Sequence, residues 1–209
     1  MYTLYYGPNR ASMAVHISLR RTGAPFELVA VDLERDEHKT PAFLRLNPSG
    51  RIPVLVHGDV VVTEVAAIAL YLVDRHPALG PGIESPRRAD LYRWVAYLSN
   101  TLQPALMTYF YPERHVRGVA ARAELRAAAE RQIDGILERI DGELLPGQFL
   151  LGPEPSVCDD YLWMLARWTR AFPRPARAHP RIRDCLERLA EQRPVREMLA
   201  VEQIQPPYF

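Results

Sequence analysis

The residues best placed to do chemistry through their backbone lie in the stretch Leu46-Asn47-Pro48-Ser49-Gly50-Arg51-Ile52-Pro53-Val54-Leu55. Pro53 directly precedes the run Val54-Leu55-Val56-His57, which Gly58-Asp59 separates from Val60-Val61-Val62. Two β-branched runs around a two-residue Gly-containing turn read as an antiparallel hairpin. Proline cannot donate to a sheet ladder, so Pro53 must open its strand at an unpaired position. With a cis Ile52–Pro53 bond the chain would reverse there and turn the backbone groups of Ile52 outward, free to pair with an extended peptide ligand. An ordinary proline at a strand start is the competing reading, because only about one X-Pro bond in twenty is cis. Other chemistries lack their residues. Cys158 and Cys185 are far apart and form no CxxC, which disfavours a disulfide scaffold and a dithiol redox centre. The six histidines show no ligand-like pairing with cysteines or carboxylates, so no metal site is expected.

A chain of 209 residues accommodates one large domain or two modest ones. Its 48% hydrophobic content can fill a core, and 24% charged residues is ordinary for a soluble protein. A formal net charge of +1 gives no electrostatic case for nucleic acid or an anionic membrane as partner. The chain enters directly into Tyr2-Thr3-Leu4-Tyr5-Tyr6 with no basic or apolar signal segment, and no apolar run approaches transmembrane length. A cytoplasmic, soluble protein is expected.

The elements that must position the hairpin follow from periodicity and punctuation. Residues 2–6 are β-prone and stop at Gly7-Pro8-Asn9. A short helix with Ser12 as its cap runs through Ala14, Val15, Ile17 and Leu19 to Arg20-Arg21 and Gly23. Phe26–Leu33 is an apolar strand of the kind covered on both faces, and strand–helix–strand makes a right-handed βαβ unit. Pro41–Leu46 is a short helix opened by its proline. After the hairpin, Val65, Ile68, Ala69, Leu72 and Val73 form one helical stripe, closing at Arg75-His76-Pro77.

Ala78–Pro86 is rich in Gly and Pro and reads as a linker, after which strands cease. Ser85 caps and Pro86 starts a long helix through Leu91, Trp94, Val95 and Leu98, which Pro104 must kink or end. Leu125 to Leu144 is a second long amphipathic helix. Ser156-Val157-Cys158-Asp159 is a reduced capping box opening a buried helix through Trp168. Helices at roughly 180–191 and 194–201 precede the tail Gln205–Phe209.

A βαβ–ββα half with proline at its third strand, a short linker and an all-helical half resembles the cytosolic glutathione S-transferase fold. The motifs carrying the resemblance are Asn47-Pro48-x-Gly50-x-Ile52-Pro53-x-Leu55, Thr63-Glu64-x-Ala66-Ala67-Ile68, and Ser156-x-x-Asp159. Leu4-Tyr5-Tyr6…Ser12-x-Ala14-x-His16 is most similar to the bacterial beta class. His38-Lys39-Thr40-Pro41-x-Phe43-Leu44 is closer to theta- and delta-like classes, so no class is assigned. The resemblance implies an α+β chain of two domains. A thioredoxin-like glutathione-binding domain would cover 1–77 and an all-helical domain 87–209, joined by the linker at 78–86.

It also implies roles. Pro53 is cis, and Ile52 pairs its backbone with the cysteinyl part of glutathione. Glu64 and Val65 hold the γ-glutamyl end: helix-start N–H groups can cradle its carboxylate while Glu64 answers its ammonium. His38, Lys39 and Arg51 suit the glycyl carboxylate; otherwise they are solvated loop residues. The family usually has Ser or Thr where this chain has Val65, and loss of that hydroxyl removes roughly 0.5–1.5 kcal/mol of binding. Beta-class relatives carry Cys where Ala11 stands, so a mixed disulfide with the protein is not expected, and Ser99 replaces a histidine some of them bring from the first long helix.

The implied reaction needs glutathione as its thiolate. Ser12, at the first helix start, is the first candidate for catalytic hydrogen-bond donor, with a plain helix cap as its other role; Asn9 and Arg10 on the same loop come next. At most one of Tyr5 and Tyr6 could reach the site, and core packing suits both better. Met107, Tyr111 and Trp168, beside Tyr109 and Phe110, would wall an electrophile pocket, with Tyr208 and Phe209 as a lid. The implied activity is transfer of the glutathione thiolate to a small hydrophobic electrophile by a homodimer. The alternatives are isomerisation, dehalogenation or disulfide reduction with glutathione, or a non-catalytic binding protein of this fold.

Overall fold

The fold is that of a computed structural model describing residues 1–209. β1 (Tyr2–Tyr6), α1 (Ser12–Thr22) and β2 (Phe26–Ala30) form the first unit, with the strands parallel. α2 (Pro41–Leu46) leads to the hairpin of β3 (Val54–His57) and β4 (Val60–Thr63), and α3 (Val65–Val73) follows. The sheet order is β2-β1-β3-β4, with β3 antiparallel to β1. Beyond Val73 the remaining regular elements are helical: α4 (Arg88–Tyr97), α5 (Gln103–Phe110), α6 (Val119–Glu143), α7 (Val157–Trp168), α8 (Pro180–Ala190) and α9 (Arg193–Val201).

α1 is buried on every side from Ser12 to Leu19, because the sheet covers one face and α7, α3 and α9 the others. Its sequence fits that position, since no Asp, Glu, Lys or Arg falls between those residues. The larger of two apolar clusters, of 46 buried residues, runs from Leu4, Met13 and Ile17 into Leu162, Trp163 and Leu165 and so crosses the linker; the smaller, of Val31, Phe43 and Val54, lies under α2. Polar ties cross the same boundary. Arg21 Nη2 lies 2.6 Å from Asp160 Oδ1 and Ser18 Oγ donates to Asp160 Oδ2 at 2.9 Å.

Several expectations need correction. Ser12 is the first residue of α1 rather than its cap; Ala11 occupies the cap position and makes no side-chain cap bond. β2 is an edge strand of five residues with Glu27, Val29 and Ala30 exposed, not a strand covered on both faces. Nothing pairs on its outer side. α3 ends at Val73, short of Arg75-His76-Pro77. The helix expected from Pro86 starts at Arg88, and Ser85 Oγ instead accepts from Arg87 N–H. Pro104 neither ends nor breaks this helix: a π-helical turn over Leu98–Leu102 widens the ladder ahead of it, and α5 resumes with Pro104 in its first turn.

Candidate functional site

The register of the sheet gathers the expected site residues at one end. Tyr5 is level with Val54, and Val54 with Thr63. The segments just beyond them, Gly7–Ser12, Gly50–Pro53 and Glu64–Val65, therefore leave the sheet on the same edge. Gly7 touches Ile52: a Cβ there would stand 2.8 Å from Ile52 Cδ1. Gly50, at φ +60°, brings the same loop against the backbone of His38.

The Ile52–Pro53 bond is cis. The N–H and C=O of Ile52 have no hydrogen-bond partner in the chain. The side chain of Asn47 braces the turn from behind, with Nδ2 donating to Arg51 C=O at 2.7 Å and Oδ1 accepting from Ser49. Glu64 has φ +68°, exposed and with an unpaired carboxylate, and α3 begins at the next residue. The N–H groups of Val65, Ala66 and Ala67 are unbonded, as a helix start leaves them. The side chain of Val65 is 5% exposed and packs into a closed crevice with Ala14, Ser18, Val157 and Tyr161. Packing has replaced the hydroxyl at this position.

His38 is largely covered, its Nδ1 buried without a partner. Lys39 Nζ pairs with Asp36 at 2.8 Å, and Arg51 is exposed and unpaired.

The loop before α1 departs most from expectation. Ser12 is fully buried; its hydroxyl donates to Gly7 C=O at 3.0 Å and accepts from Gly7 N–H at 3.2 Å. Both contacts of the hydroxyl are to the loop, where it holds Gly7. The N–H groups of Arg10, Ala11 and Ser12 are unbonded at the positive end of α1. Asn9 adopts φ +60°, and its N–H donates to Glu202 Oε2 at 2.9 Å. Glu202 Oε1 accepts from His16 Nδ1 at 2.8 Å, with both side chains wholly buried. Arg20 Nε donates to His16 Nε2, which fixes the imidazole proton on Nδ1.

From the helical half, Tyr161 on α7 donates to Gln103 on α5 and lies near enough to Glu64 that the carboxylate adds to burial in raising its pKa. Arg167 Nε reaches Asn9 Oδ1 at 2.7 Å. Sequence reasoning missed Glu202, Tyr161, Gln103 and Arg167; nothing in their local spacing marks them.

Met107 and Trp168 are half-buried against the core. Tyr111 is half-buried under Arg114, whose guanidinium sits 3.9 Å from its ring centre, while Tyr109 and Phe110 turn to Phe172. An open groove of about 560 Å³ lies between α2 and the β1–β2 side of the sheet, lined by Tyr5, Val31 and Phe43 among others. The expected electrophile wall does not border it. Burial pushes both cysteine thiols up, Asp159 adding to the effect, so neither is a ready nucleophile.

Comparison with known proteins agrees with this geometry. Residues 1–74 match the glutathione S-transferase N-terminal domain. The chain is 33% identical over 167 residues to glutathione S-transferase GST-4.5 of Xanthomonas campestris, covering 79% of this chain and 81% of that one. It is 28% identical to GstA of Escherichia coli O157:H7 over 95% and 98% of the two lengths. The solved glutathione S-transferase of Xylella fastidiosa superposes with a TM-score of 0.88 at 29% identity, over 98% of this chain and all of that one. A sphingomonad glutathione S-transferase complexed with glutathione does so at 0.83 and 32% identity, over 97% and 100%. An unpaired backbone at Ile52, flanked by two open helix starts, thus belongs to a chain related along its length to one group of enzymes: this protein is a member of the glutathione S-transferase family.

Proposed function

We propose that the protein is a glutathione transferase that joins the sulfur of glutathione to a small hydrophobic electrophile. The observation that carries this reading is the unpaired backbone of Ile52 standing between two helix starts whose N–H groups are free. Glutathione offers a matching set of groups. Its cysteinyl N–H and C=O pair with Ile52, next to Pro53. Its γ-glutamyl carboxylate falls on the N–H groups of Val65 and its neighbours, with Glu64 facing the ammonium. Lys39, His38 and Arg51 take the glycyl carboxylate.

The sulfur then lies at the start of α1. Lowering a thiol pKa by about two units needs about 2.7 kcal/mol of preferential thiolate stabilisation. The free N–H groups of Arg10, Ala11 and Ser12, at the positive end of a helix, are the donors for it, in place of the Ser12 hydroxyl. The thiol proton goes to solvent, the thiolate attacks the electrophilic carbon, and the leaving group departs with its electron pair as the C–S bond forms. Met107, Tyr111 and Trp168 shape the electrophile side, with Tyr208 and Phe209 as a lid, and the working form is a homodimer in the cytoplasm.

A second reading, glutathione binding without turnover, draws on the buried Val65 and on Ala11. Calorimetry with glutathione and a chlorodinitrobenzene assay separate the two. The transferase reading requires binding in the millimolar range or tighter together with thioether formation. Binding without product supports the second reading, and no binding at millimolar glutathione overturns both.

A further inference from the structure

Arg167, at the last turn of α7, is 5% exposed yet has no carboxylate partner. Its three hydrogen bonds all go to neutral oxygens. Nε donates to Asn9 Oδ1 at 2.7 Å, and Nη1 donates to Pro207 C=O at 3.1 Å and Tyr208 C=O at 2.8 Å. Nη2 makes no hydrogen bond in the chain. The other deeply buried arginines are neutralised: Arg88 by Asp74 and Arg21 by Asp160. A largely covered guanidinium with no carboxylate in direct contact favours a further anion close by, beyond the more distant Glu202. Burial, with Arg170 alongside, lowers its pKa to about 10, and Glu202 acts in the opposite sense.

The place of this charge matters. Asn9 is held from two sides, its main chain by Glu202 and its side chain by Arg167. The residues after Asn9 carry the free N–H groups of the α1 start. The charged groups acting on Arg167 are Arg170 on its own helix and Glu202 beyond α9, and Glu202 in turn holds His16. Arg177 adds a bond to Phe209 C=O in the same tail. Glu202 is the acid among them, and both its oxygens are occupied by His16 and Asn9.

We propose that Arg167 is a positioning residue for thiol activation: its fork fixes Asn9 and the 207–208 segment against each other, and its unpaired charge biases the sulfur beside Asn9 toward the thiolate. This rests on the glutathione reading above. No atom of Arg167 is required to touch the sulfur.

Two substitutions test it. Arg167→Gln removes the charge. Asn9→Asp keeps the shape of the tether but hands Arg167 a carboxylate, which neutralises the site without leaving a buried cavity. The readout is the pH profile of kcat/KM with glutathione and chlorodinitrobenzene, together with direct titration of bound glutathione by its ultraviolet thiolate absorbance. Both variants should move the apparent thiol pKa upward. The rate below neutral pH should fall about threefold to tenfold and recover toward wild type at alkaline pH. Affinity for S-methylglutathione, which has no thiol to ionise, should stay within about twofold. An unshifted profile in Arg167→Gln, whatever Asn9→Asp does, or a loss equal at every pH, overturns the proposal while leaving the glutathione reading in place. Failure of the wild type to bind S-methylglutathione removes the glutathione reading itself, and this inference with it.

Discussion

The Ser12 hydroxyl stands on the first residue of α1, and it faces inward. Replacing it with alanine strips both hydrogen bonds from Gly7 and leaves a buried N–H without a partner. Ser12→Ala should therefore lower stability by about 1–3 kcal/mol in urea titrations while leaving the pH profile of the thiol reaction where it was. A shifted profile at unchanged stability would restore the hydroxyl as the thiol's donor. Val65 makes the opposite case. Val65→Thr places a hydroxyl at the start of α3 and should tighten glutathione about threefold to tenfold by calorimetry. It should also lose some stability, because the same side chain fills the crevice against Ala14 and Tyr161. How legible each residue was follows from the range of its interactions. Ile52, Pro53 and Glu64 act through local backbone geometry, and a proline ahead of a hairpin or a helix start ahead of an apolar stripe is written in consecutive residues. Asn9 with Arg167, His16 with Glu202 and Asn9 with Glu202 are separated by 158, 186 and 193 residues. One sequence carries no sign of such pairs.

Among the elements, α7 is the one whose ends are most tightly specified. Ser156 and Asp159 form the reciprocal cap, with Asp159 Oδ2 accepting from Ser156 N–H at 2.8 Å and Oδ1 from Leu150 N–H at 2.7 Å. Burial nonetheless outweighs these bonds and pushes the Asp159 carboxyl up from 3.8 to about 6. The folded protein then holds this proton to higher pH than the unfolded chain does. The associated stability is greatest below about pH 4, declines through about pH 6 and is gone above it, a span of about 3 kcal/mol. Urea midpoints measured across that interval should fall in the wild type and stay flatter in Asp159→Asn; parallel curves would place the carboxyl pKa near its ordinary value. α8 shows a cap the sequence hid. Asp141 on α6 accepts from the N–H groups of Arg181 and Ile182, so one helix caps another. Asp141→Ala should cost about 1 kcal/mol in the same assay. Local signals were reliable where they were redundant, as in the hairpin, α6 and α7. They failed where tertiary placement decided the matter: β2 reads as buried but lies at an edge.

At the scale of the molecule, the two halves differ in composition yet share one interior. α1 belongs to the sheet by sequence and to the helical bundle by burial, and its polar groups are answered from α7 and from beyond α9. Arg21 and Ser18 converge on Asp160, and His16 reaches Glu202. An apolar cluster that crosses the linker without interruption joins the two halves, and the sheet half adds only the small cluster of Val31, Phe43 and Val54 on its other face. The tryptophans, Trp94, Trp163 and Trp168, all lie in the helical half, so their fluorescence reports on that half alone. Hydrogen exchange at the β1 amides Leu4 and Tyr5 reports on the sheet. The two probes should give the same unfolding free energy and the same urea midpoint. Asp160→Asn, which leaves Arg21 without its counter-charge, should lower both together by about 3 kcal/mol. Separate midpoints in the wild type, or a substitution felt by the tryptophans and not by β1, would mean that the sheet half folds on its own. The proposed thiol site, where α1 meets the helical half, would then have to be assembled after folding rather than with it.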